Sequence, residues 1–156
     1  MRFSIQKHEA IDLHYVLRLE VGDQIRSWAV PRGPSPDPRV KRLAIPVEES
    51  CALDFEGIYP PGSTDKIIVW DTGEYTPFEL DGEPMSVEES LSEGKLEFTL
   101  HGQKLQGGFQ LLRIDDPDER WLLMKNSDEK ATSRRNPVVS QPLSVVSGRD
   151  VSEVKE

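Results

Sequence analysis

Along most of this chain apolar and polar residues alternate with a period of two, the pattern of a strand that turns one face to a core. In His14–Val21, the residues Tyr15, Leu17, Leu19 and Val21 share one face, and His14, Val16, Arg18 and Glu20 share the other. The same pattern predicts strands over Ile25–Val30, Arg42–Val47, Ile67–Asp71, Glu74–Leu80, Lys95–Leu100, Phe109–Ile114 and Trp121–Lys125. Turn signals separate them, among them Val21-Gly22-Asp23, Pro60-Pro61-Gly62, Asp81-Gly82 and Gly107-Gly108. Short strands at this spacing predict a mostly β chain folded as a barrel or a sandwich, with a compact β-barrel-like single domain as the expectation. One short helix is predicted, opened by the capping box Ser86-Val87-Glu88-Glu89 and closed at Gly94. The domain is expected over residues 1–135, with 136–156 a flexible C-terminal tail of polar residues and scattered valines.

Composition narrows the class. The 156 residues suit one domain, and 36% hydrophobic content supports a folded core. No apolar run approaches the roughly 20 residues that span a bilayer, and MRFSIQKHEA has neither an apolar stretch nor a small-residue cleavage site. A lone Cys51 makes no internal disulfide, so a reducing, cytoplasmic setting is expected. The net charge of −9 argues against bulk coating of nucleic acid. Basic residues nevertheless gather between Arg26 and Arg42, where Arg32, Arg39 and Lys41 also lie, opposed only by Asp37. Such a run reads either as a local phosphate-binding patch or as a solvated strand edge whose cations block aggregation.

Five residues separate His8, read as a loop residue, from His14, which opens a strand; two imidazoles so placed can converge on one metal ion. Arg18 follows His14 by four residues on the same face, about 13 Å along a strand, as a phosphate clamp or as a surface partner of Glu20. Neither a phosphate-cradling glycine loop nor a nucleophile elbow is present, and one Cys cannot build a zinc site. Lys-x-Asp-Gly, the signature associated with the nucleotidyl-transfer lysine of DNA ligases, is absent too.

The segments QKHEAIDLHYVLRLE, SWAVPRGPSPDPRVKRLAIPVE, IIVWDTGEYTP, GKLEFTLHGQKLQGGFQLLR and WLLMKNSDEKA together resemble the 3'-phosphoesterase family of bacterial DNA ligase D, from about Phe3 to Ala131. The resemblance implies a DNA-repair hydrolase of non-homologous end joining that trims 3' ends with Mn²⁺. It implies metal ligands at His8 and His14, a phosphate-binding Arg18, and further site residues at Arg32, Arg42 and Glu48. His101 matches a family motif and reads as structural.

The chain also departs from that pattern. Val16 stands where the family's metal-binding Asp is expected, Ser50 where it has a His, and its Tyr is lost or replaced by Phe55, in a loop about two residues shorter. Val16 cannot ligate a cation, and Ser50 cannot carry a proton at neutral pH. Asp12, two residues before His14, is the candidate substitute carboxylate, and Cys51 a candidate soft ligand. Two readings follow. One is an active metal-dependent phosphoesterase; the other is a non-catalytic module that binds DNA or RNA–DNA 3' ends or a repair partner such as a ligase or polymerase, with no membrane role.

Overall fold

The computed structural model describes residues 1–48, 51–78, 86–115 and 119–155. Among these described residues nine strands follow one another: β1 (Arg2–Glu9), β2 (Leu13–Val21), β3 (Gln24–Val30), β4 (Lys41–Val47), β5 (Gly57–Ile58), β6 (Lys66–Pro77), β7 (Lys95–His101), β8 (Gln106–Asp115) and β9 (Arg120–Lys125). All pair antiparallel in the order β1-β2-β3-β4-β9-β8-β7-β6, and a β1–β6 ladder closes the ring into an eight-stranded barrel, with β5 appended to β6. The mostly β, barrel-like expectation holds. β4 pairs with β9 through Lys41–Ala44 and with β3 through Ile45–Val47, so its basic residues have a ladder neighbour on the β9 side.

The alternation read from sequence fills the barrel. Phe3, Ile5, Tyr15, Leu17, Leu19, Trp28, Val30, Ala44, Trp70, Phe98, Phe109, Leu111 and Trp121 form one buried cluster. Helix α1 (Val87–Glu93) closes one end with Val87 and Leu91; Ser86 caps it by accepting from the Glu89 N–H, and Gly94 ends it at φ 86°. Both caps are where the sequence puts them.

Three elements differ from expectation. His8 lies in β1, a strand rather than a loop. Lys66–Pro77 is one strand rather than two, because Thr72-Gly73 continues the ladder with β1; the predicted end of the second, 79–80, lies outside the described residues. The segment after Asn136, expected to be loose, docks on the barrel instead. It forms α2 (Pro137–Ser140) and a 3₁₀ turn at Val151–Glu153, and Val151 and Val154 pack on Ile68. Trp70 Nε1 donates to Gln141 O at 2.8 Å, and the buried Lys104 Nζ donates to Leu143 O. Glu56 accepts from Ser144 Oγ and Arg149 Nη2. Side-chain anchors of this kind leave no periodic trace in a sequence, which is why the docking is illegible there.

Candidate functional site

Since Phe3, Ile5, Tyr15, Leu17, Trp28 and Val30 point into the core, the intervening residues of β1–β3 form the outer face of that part of the barrel. The ladders align this face in rows. Ser4 faces Arg18 and Arg18 faces Ser27; Gln6 faces Val16 and Val16 faces Ala29; His8 faces His14. A surface face of this sort is ordinarily polar and exposed, yet Ser4, Gln6, His8, Val16, Arg18 and Ser27 are all buried. The 51–55 segment helps to cover them. Gln6 Nε2 donates to Ala52 O at 3.0 Å and to Phe55 O at 3.2 Å, and lies 3.6 Å from Cys51 Sγ.

The His8 and His14 ring centroids are 4.9 Å apart. Burial, then the proximity of His14 and Arg18, pushes the His8 pKa down to about 3, so the ring is neutral at physiological pH. Its Nε2 is buried without a hydrogen-bond partner. His14 Nδ1 sits 3.3 Å from the main-chain O of Asp12. Two imidazoles side by side, one of them neutral with an open nitrogen, are suited to accepting a metal ion, but catalytic metal sites ordinarily take three protein ligands. Among the described residues no group of three or more His, Cys, Asp or Glu side chains converges on a metal position. Asp12 lies in the bend before β2 and meets His14 through its carbonyl, not as the substitute carboxylate. Cys51 is buried against Gln6 and does not complete the set either. Val16, 0% exposed, fills the position between the imidazoles and Arg18 with methyl groups. The described donors do not fit a resident divalent cation.

Arg18 is likewise 0% exposed, which excludes a surface pair with Glu20; the Glu20 carboxylate accepts instead from the Arg2 N–H. Its Nε donates to Gln6 Oε1 at 2.5 Å and its Nη1 to Ser27 Oγ at 2.9 Å. These bonds offset part of the desolvation of a buried guanidinium.

Arg32 and Arg42 are brought together with Lys41 around a cavity of about 240 Å³ that Pro31 and Leu43 complete. Burial, then the charge of Arg32, holds the Arg42 pKa below its ordinary value, and Arg42 Nε is buried without a partner. None of the three cations has an ion-pair partner among the described residues. Glu48 is exposed at the rim of a different cleft, beside Ser27. Phe55 packs edge-on against Tyr59, with centroids 5.8 Å apart. Ser50 lies outside the described residues. His101 is exposed, with Nε2 3.3 Å from Thr76 Oγ1, the position of a strand-surface residue.

Gln6 and Ser27 are the site residues that residue-by-residue reasoning misses. Both lie in strings that carry the resemblance, Gln-Lys-His and Ser-Trp-Ala-Val-Pro. Alternation would have put Gln6 on the His8 face had β1 been legible as a strand.

A model of the DNA ligase D 3'-phosphoesterase domain matches residues 6–113. The chain is 41% identical over 157 residues to the multifunctional non-homologous end joining protein LigD of Pseudomonas aeruginosa, covering 96% of this chain and 18% of that protein. It is 34% identical over 138 residues to the protein of the same description from Mycolicibacterium smegmatis, covering 83% of this chain and 17% of that protein. The chain thus spans less than a fifth of the length of either relative.

Proposed function

The chain belongs to the DNA ligase D 3'-phosphoesterase family, and we propose that it engages phosphate-bearing 3' ends of DNA or RNA–DNA strands in end joining, with little hydrolytic turnover. The observation that carries this reading is Val16, sealed between His14 and Arg18 on the outer face of β2, where a third, oxygen-bearing ligand would be needed. Two imidazoles beside a methyl-lined wall give a hard cation such as Mn²⁺ no carboxylate, and carboxylate and water oxygens are the ligands that suit it. The replacement of a proton carrier by Ser50 acts in the same direction.

Phosphate binding has independent support in the chain's own charges. Arg32, Lys41 and Arg42 surround one small cavity without counter-charges, and a phosphate supplies both the charge and the acceptor that Arg42 Nε lacks. Arg18 is engaged by Gln6 and Ser27 beneath the 51–55 segment, so the open cations of the cavity are the first to meet an incoming end. An acidic body with one local cationic cavity favours an end over duplex at large. The relatives are multifunctional end-joining proteins, so ligase and polymerase activities are the proposed company of this chain.

An active 3'-phosphoesterase is the second reading. The adjacency of His8 and His14 and the open Nε2 of the neutral His8 favour it, as does family membership. It requires a further ligand beyond the described set.

The test is equilibrium binding of a primer-template carrying a 3'-phosphate against the same duplex with a 3'-hydroxyl, at two salt concentrations. Tighter binding of the 3'-phosphate end, weakening as salt rises, is expected. Equal affinity for the two ends contradicts the reading.

A further inference from the structure

β3 and β4 pair through Ser27–Ala29 and Ile45–Val47, and β4 ends at Val47 while β3 extends back to Gln24. A cleft of about 900 Å³ lies beside this end of β3, walled by Ile25, Arg26, Ser27, Trp28, Glu48 and Glu119. Its volume lies in the range of small-molecule sites. It adjoins the site already described, because Ser27, on its wall, accepts the hydrogen bond from buried Arg18.

The chemistry of the walls is selective. The Arg26 guanidinium lies over the Trp28 ring at 5.9 Å, and the ring itself is 1% exposed. A guanidinium in this position offers the cleft a planar cation, the kind of plane that stacks on unpaired bases. Glu48 and Glu119 contribute two carboxylates, which accept hydrogen bonds and cannot donate them. Glu119 holds this place at φ 33°, a backbone region that non-glycine residues rarely occupy. Two carboxylates against one guanidinium repel a phosphate, in contrast to the cationic cavity of Arg32, Lys41 and Arg42.

We propose that this cleft is a nucleoside subsite, in which the base of the terminal nucleotide stacks on Arg26 while Glu48 and Glu119 accept hydrogen bonds from its sugar hydroxyl or base amino groups. The assignment rests on the reading of the chain as a 3'-end protein, and it adds what that reading lacks: a place for the neutral part of the terminal nucleotide. A strand end then divides between two chemistries, phosphate to the cations and nucleoside to the carboxylate-rimmed cleft.

The probe is adenosine, which carries no phosphate, with inorganic phosphate as its counterpart. Both are titrated into the whole chain while the Arg26 Nε–H and Trp28 Nε1–H signals are followed by ¹⁵N NMR. Adenosine is expected to move both signals saturably, with affinity falling about tenfold in Glu119→Gln and in Arg26→Ala. Inorganic phosphate is expected to leave both in place. An unchanged amide spectrum away from the cleft establishes that each variant is folded. Absence of a saturable adenosine response, or a response that both variants retain in full, overturns the assignment. So does a phosphate response equal to that of adenosine. Adenosine binding alongside equal affinity for 3'-phosphate and 3'-hydroxyl ends upholds the cleft and contradicts end recognition. A 3'-phosphate preference without any nucleoside response does the reverse.

Discussion

Gln6 holds Arg18 with one end of its amide and the 51–55 segment with the other: its Oε1 accepts from Arg18 Nε at 2.5 Å, and its Nε2 donates to Ala52 O and Phe55 O. One neutral side chain therefore ties the buried guanidinium to the segment above it. Gln6→Ala removes an acceptor from a buried charged group and a donor from two carbonyls, a loss of about 1–3 kcal/mol. The expected outcome is a lower denaturation midpoint, with faster exchange of the Phe55 amide, which bonds Ala52 O. Unchanged exchange at Phe55 contradicts the tie.

The cationic cavity makes a separate prediction. Lys41 is exposed and its side chain has no ion-pair partner among the described residues, so Lys41→Gln is expected to leave the thermal midpoint unchanged. If the cavity holds a strand phosphate, the slope of log affinity against log salt falls by about one. An unaltered slope removes Lys41 from the interface.

Glu56 fastens the C-terminal segment, and its attachment is sensitive to acid. Burial raises the Glu56 pKa, but hydrogen bonds from Ser144, Ser147, the Val69 N–H and Arg149 outweigh it and hold the carboxyl below its ordinary value. A carboxylate depressed in the folded state stabilises above its unfolded pKa, and that contribution is lost as pH falls through the folded pKa. Lowering the pH through and below the ordinary carboxylate range is therefore expected to speed amide exchange over 144–149 before the barrel opens. Glu56→Gln is expected to show the fast exchange already at neutral pH. Equal protection of this segment in wild type at neutral and acid pH contradicts the assignment.

Asp71 gives the strongest expected destabilisation. Its buried carboxylate accepts from the N–H groups of Thr72, Gln103, Lys104 and Leu105 at 2.9–3.2 Å, holding the β7–β8 turn against β6. Asp71→Ala leaves several of these donors without an acceptor, and a loss of more than about 3 kcal/mol is expected in chemical denaturation. A loss under about 1 kcal/mol shows that the turn holds without it.

The core strands are legible in the sequence because their inner positions alternate without a break, as in Tyr15, Leu17, Leu19 and Val21. β1 escapes because its third inward position is Lys7, which cuts the alternation of Phe3 and Ile5 short. His8 consequently reads as a loop residue, although its pairing with His14 follows directly once the hairpin register is known. The sequence places Asp12 on the His14 face only by assuming an extended backbone, and the bend before Leu13 removes that assumption. Arg32 and Arg42 are recoverable as basic residues, but their meeting with Lys41 around one cavity depends on how the chain after β3 returns to β4, which no local pattern encodes.

The most direct measurement is phosphate release from a 3'-phosphate primer-template with Mn²⁺ by wild type, His14→Ala, Val16→Asp and the double variant, each checked for its near-ultraviolet dichroism. The expected result is near-background release by wild type, a gain in Val16→Asp, and loss of that gain when His14→Ala is added. Robust turnover by wild type that vanishes in His14→Ala would contradict the proposed loss of hydrolysis and establish a site completed by another ligand.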